Sequence, residues 1–150
     1  MNACAAAGAA FLVAVLWFDL MFDVQTRNHP GDTLPSELLA SISAYYRRVT
    51  TEAHPMSRLI PLVMVLTLLS VIAEIIWREG PVWLGWISLA LAVAAIGLAM
   101  GRTVRNAVRL GGGRDEPVTQ TRLARAIYRD HLFCFAAMIT VVALQLIVGH

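Results

Sequence analysis

Apolar residues in this chain come in long blocks and do not alternate with polar ones. Ala3 to Phe22 is broken only by Asp19 and Leu59 to Trp77 only by Glu74, while Pro81 to Gly101 and Leu132 to Gly149 carry no charge. Each block approaches the ~20 residues that cross a hydrocarbon core about 30 Å thick at a helical rise of about 1.5 Å per residue. A helix buried in a water-soluble protein shows a polar face at helical period, and "WISLALAVAAIGLAMG" has none. The pattern predicts an all-α, polytopic membrane protein, a four-transmembrane-helix bundle with spans at about 3–23, 58–77, 81–101 and 129–149. The first block has no positive lead-in and its small residues come first, so it reads as a retained span and not a cleaved signal peptide.

The polar intervals predict the rest. "RNHPGDTLP" is rich in turn formers, and Ser36 can cap a helix over about 36–54 that halts at His54-Pro55. Leu38, Ile42, Tyr45 and Val49 give that helix one apolar face, as in an amphipathic helix lying in the interface or packing under the bundle. Glu79-Gly80-Pro81 predicts a tight turn that makes the second and third spans antiparallel neighbours, with Trp77, Trp83 and Trp86 as an aromatic belt. Gly97 and Gly101 form a GxxxG pair that permits close helix contact, within the chain or with a second copy. The third helix should run on through "RTVRNAVRL" to the triple glycine at Gly111, and Thr119 or Thr121 should open the last one.

Composition supports this picture. Hydrophobic residues make up 58% of the chain and charged residues 15%, against about 25% charged in soluble domains. All 12 basic residues are arginine, and eleven of them fall in the first and third connections or on the span residue bordering them. That asymmetry predicts an inner (plasma) membrane protein with loops 24–57 and 102–128 in the cytoplasm and both termini outside. Arg102, Arg105 and Arg109 repeat the spacing of Arg122, Arg125 and Arg129, giving two basic stripes suited to anionic lipid headgroups at roughly 1 kcal/mol per residue, or to an acidic partner. The stripes lack interleaved aromatics, which argues against nucleic acid. Cys4 and Cys134 fall at opposite ends of the bundle, too far apart for a disulfide.

The candidate chemistry begins with Asp19 and Asp23, four residues apart at the inner end of the first span. Carboxylates at that depth face a bundle interior or a wet cavity. At the same level stand Arg102, Arg105 and Asn106 after span three, Arg129, Asp130 and His131 before span four, and His54 and Arg58 before span two. Two arrangements follow. In one, arginines hold the two aspartates in ion pairs. In the other, Asp19 and His131 form the reactive centre of a polar pocket completed by Asp23, His54, Arg102, Arg105, Asn106 and Arg129, which takes a proton, a metal of unspecified identity or the polar end of a lipophilic ligand. A second locus, Thr67, Ser70 and Glu74 with Gln145, reads as interhelical glue worth about 0.6 kcal/mol. No soluble-enzyme motif occurs, and "LGGGRDE" follows a helix where a phosphate-binding loop would follow a strand. No cofactor is indicated.

The segments "AHPMSRLIP", "RTVRNAVRL" and "YRDHLFCF" give the chain an architecture that resembles the small four-helix bacterial membrane proteins of the anthrone oxygenase type. The resemblance extends over the whole chain and carries Asn106 and His131 as site positions. It implies a flat, lipophilic aromatic substrate entering among the helices and an oxygenase-like reaction. Two other classes fit the residues. One is a non-catalytic accessory subunit that docks a larger membrane complex, or a second copy, through the GxxxG face and arginine stripes. The other is a small proton-coupled transporter with Asp19 as carrier.

Overall fold

The computed structural model describes residues 2–77 and 80–148. The secondary structure among them is helical, in the order α1 (Asn2–Asp23), a 3₁₀ turn (Val24–Asn28), α2 (Ser36–Arg47), a π turn (Arg48–Glu52), α3 (His54–Trp77), α4 (Val82–Leu98), a second π turn (Ala99–Thr103), α5 (Val104–Gly112) and α6 (Pro117–Val148). Among the described residues, four helical stretches are long and apolar enough to cross a membrane: Ala3–Asn28, Ser57–Trp77, Val82–Gly112 and Pro117–Ile147. The predicted turn at 79–81 and the end of the fourth span at 149 fall partly outside the described residues.

The four long helices form a square in which α1 packs on α3 and α6, and α4 packs on α3 and α6. Small residues let them approach. Ala9, Ala92, Ala95 and Ala137 are buried with Leu12, Cys134, Met138 and Val141 at the centre. Outward-facing positions stay apolar, among them Leu62, Leu66, Leu69, Val93 and Ile147. Such a surface suits hydrocarbon as the surrounding medium. Trp77, Trp83 and Trp86 are exposed together at one end.

The opposite end carries a second core. There α2 lies against α5 and the start of α6, burying Leu39, Ile42 and Tyr46 against Ala107, Leu110, Leu123 and Ile127. Gly111 makes this approach feasible: a Cβ there would sit 2.7 Å from the Arg47 backbone nitrogen. Two bonds fasten the contact, Ser43 Oγ to the Leu110 carbonyl at 2.8 Å and Arg47 Nε to the Gly111 carbonyl at 3.1 Å. Gly113, with φ of 60°, then ends α5 in the left-handed conformation that glycine adopts without a Cβ penalty. Residues 29–34 are tied down by α6, through Arg125 to the His29 and Gly31 carbonyls and Thr121 to the Leu34 amide.

Three expectations change. The helix expected over 36–54 ends at Arg47 and continues as a π turn. Its buried face runs through Leu39, Ile42, Ser43 and Tyr46, leaving Leu38, Tyr45 and Val49 half-buried. The rotation follows from α2 being wedged between α1 and α5, so that both flanks find partners. Gly97 and Gly101 take no part in packing within the bundle, since no atom lies within 4 Å of a Cβ built at either. Close contacts instead use Gly85 against Ile75 and Gly8 against Thr67.

Candidate functional site

Asp19 and Asp23 project from one face of α1, because a spacing of four residues brings side chains onto the same side. Both are buried, Asp23 completely. Their partners are phenols and an imidazole. Tyr45 donates to Asp19 Oδ1 at 2.7 Å and Tyr46 to Asp23 Oδ1 at 2.6 Å. His131 Nδ1 lies 2.6 Å from Asp23 Oδ2. A carboxylate oxygen only accepts, so Nδ1 carries the proton and Nε2 is turned the other way, toward Asp19 Oδ2 at 3.9 Å. Phe22 stacks on Tyr45 with ring centroids 4.0 Å apart, which fixes that phenol over Asp19.

No arginine among the described residues bonds to either aspartate. Arg102 forks onto Asp130, which also accepts from Thr103 Oγ1 at 3.1 Å. Arg109 forks onto Asp115 at 2.8 Å, and those hydrogen bonds hold the Asp115 carboxyl below the usual carboxylate range. The expected arginine ion pairs around Asp19 and Asp23 are therefore replaced by two phenols and an imidazole. Burial, with the negative charge of Asp23 and Asp19 beside it, pushes the Tyr46 phenol well above its ordinary value; burial and Asp19 do the same to Tyr45. Both phenols stay protonated donors.

Beside this cluster lies a cavity of about 210 Å³ between the first half of α3 and the second half of α4. Leu12, Leu16 and Asp19 of α1 line it, with Ile60, Pro61 and Met64 of α3, Ala95 and Ile96 of α4, and His131, Cys134 and Met138 of α6. Both π turns contribute, through Val49 and Thr50 and through Ala99, Met100 and Thr103. π turns recur at functional sites because the inserted residue re-aims the neighbouring side chains. Exposed Met100, Val104 and Val108 stand on the cavity's lip. An apolar cavity of about 150 Å³ is enough to hold a benzene ring, so this one has room for a ring or short chain. Its polar end is Asp19, His131 and Tyr46.

The structure thus brings together Asp19, Asp23 and His131 from the expected set. His54 is exposed at the start of α3, where its carbonyl accepts from Ser57. Arg105 and Arg129 are exposed and Asn106 half-buried, and no bond among the described residues joins them to the cluster. Arg102 pairs with Asp130. Tyr45 and Tyr46, outside the expected set, join this cluster through their bonds to Asp19 and Asp23. The available signal was a pair of phenols on a helix next to two acids that needed donors. No group of three His, Cys, Asp or Glu side chains among the described residues is arranged to hold a metal ion.

The arrangement can position and exchange a proton. Asp23 orients the imidazole, and Nε2, at the cavity, makes no hydrogen bond among the described residues. A ligand polar atom about 2.8 Å from both Nε2 and Asp19 Oδ2 would bridge them. No protein-family model, curated protein or solved structure matches this chain.

Proposed function

We propose that this is a multi-pass inner-membrane protein that takes up a lipophilic small molecule in the cavity between α3 and α4 and holds its polar end at Asp19 and His131. The carrying observation is that these two buried ionisable groups line a cavity of about 210 Å³ whose walls are otherwise mostly apolar. Pockets of this kind, apolar walls with a few convergent polar groups, are the usual form of a small-molecule site. The arginine asymmetry supports placing loops 24–57 and 102–128, and so the polar end of the site, on the cytoplasmic side. An oxygenase-like reaction is the sharpest form of the reading. His131, carried by the resemblance to the anthrone oxygenase type, lines the cavity; Asn106, the other carried position, does not.

The test is native and elemental mass spectrometry on gently purified protein, wild type beside Ile60→Trp, which fills the cavity from α3. The wild type is expected to carry a lipophilic molecule that the variant loses. Identical bound material in both would overturn the reading.

A second reading, a docking subunit of a larger membrane complex, is favoured by the open Gly97 and Gly101 face. Gly97→Leu with Gly101→Leu should then release the co-purifying complex without lowering the melting temperature. Retention of the complex would refute it.

A further inference from the structure

We propose that the ligand of this cavity is a lipophilic amine bound as its cation, which replaces a proton on Asp19. The inference rests on the cavity being a ligand site and goes further, to the charge of what enters.

Among the described residues, the buried carboxylates near the cavity have both oxygens hydrogen-bonded, except one. Asp23 has both oxygens engaged, one by Tyr46 and one by His131. Asp130 is held by Arg102 and Thr103. Asp19, only 9% exposed, receives a single bond, from the neutral phenol of Tyr45. Its Oδ2 lies 3.9 Å from His131 Nε2 and makes no hydrogen bond among the described residues. From α3, the wall offers Ser57, Ile60, Pro61 and Met64, none of them charged, and His54 and Arg58 at its start are exposed. The α4 side offers apolar side chains and Thr103. No arginine among the described residues lines the cavity.

Two carboxylates therefore share one imidazole. A fully protonated His131 neutralises one of them, and the other charge would stand in apolar surroundings, which is costly. The end of α1 adds to that cost, because carbonyl dipoles accumulate at a helix C-terminus. Asp19 is thus balanced either by a proton or by a cation brought in with the ligand. A ligand carboxylate or phosphate would face Asp19 with no arginine to receive it. A neutral hydroxyl would leave the imbalance in place. An ammonium offers Asp19 Oδ2 both charge and a hydrogen bond, and its apolar body lies against Ile60, Met64 and Met100.

The experiment uses the full chain in lipid nanodiscs with three matched probes: 1-naphthylmethylammonium, 1-naphthalenemethanol and 1-naphthoate. At neutral pH the ammonium should bind about tenfold tighter than the alcohol, a charge-assisted hydrogen bond's worth, with the naphthoate weakest. In weakly buffered solution its binding should release protons. Asp19→Asn should abolish the release and bring ammonium and alcohol to within about twofold of each other. An alcohol that binds wild type as tightly as the ammonium overturns the inference while leaving the cavity reading intact, as does an ammonium preference unchanged in Asp19→Asn. The wild-type probe order decides the matter even if that variant does not fold. Failure of all three probes to bind, or equal binding by Ile60→Trp, removes the cavity reading and this inference with it.

Discussion

Two layers of buried polar side chains cross the bundle, one at each end, and they differ in what lies beside them. In the layer near the tryptophans, Glu74, Thr67, Ser88 and Gln145 are buried. Gln145 Nε2 donates to Ser88 Oγ at 3.3 Å, and Thr67 Oγ1 returns its proton to the Val63 carbonyl at 2.8 Å. Packing there is tight: a Cβ on Gly8 would strike the Thr67 hydroxyl, and one on Gly85 would come within 2.7 Å of Ile75 Cγ1. In the opposite layer, the cluster of Asp19, Asp23 and His131 opens onto free volume. Polar groups alone do not make a site. A packed layer holds helices together, whereas a layer with an adjoining cavity can receive something.

The contrast can be broken by mutation. The largest effect belongs to Asp23→Ala, which strands His131 and Tyr46 without their acceptor. Breaking a buried pair from one side costs about 3–5 kcal/mol, so thermal unfolding in detergent should show a large loss of stability together with loss of ligand binding. An unchanged melting temperature would mean that the cluster does not hold the bundle together.

Tyr46→Phe comes next. It removes one hydrogen bond to a carboxylate, worth about 1.5–3 kcal/mol, and leaves the cavity's shape nearly intact. It also gives a pH signature. The Tyr46 phenol is held well above its ordinary value by burial and by the charges of Asp23 and Asp19. A group raised in the folded state contributes fully below its unfolded pKa, about 10 for tyrosine. That contribution is then lost as pH climbs toward the folded value. Wild type should therefore weaken above that pH, and Tyr46→Phe should weaken less steeply; parallel alkaline curves would count against the assignment.

The smallest effect is expected in the other layer. Gln145→Leu removes the bond to Ser88, and hydrogen bonds between helices in apolar surroundings average about 0.6 kcal/mol. Its melting temperature should stay close to wild type and its ligand binding unchanged. A loss of binding there would erase the distinction between the layers.

The sequence by itself determined the four long helices, the turn-rich break before Ser36, the stop at the triple glycine and the shared level of Asp19, Asp23 and His131 along the bundle. These depend on run length, helical period and backbone chemistry, which are local properties. Only the tertiary structure decided which donors the aspartates receive. Arginine and tyrosine both stood at the right level, and the rotation of α2 against α5, set by the bare backbone at Gly111, brings Tyr45 and Tyr46 in while Arg102 turns to Asp130. The cavity was equally hidden. It arises where α3 and α4 part beside two π turns, and a void is a property of how surfaces fail to meet, which no single segment encodes.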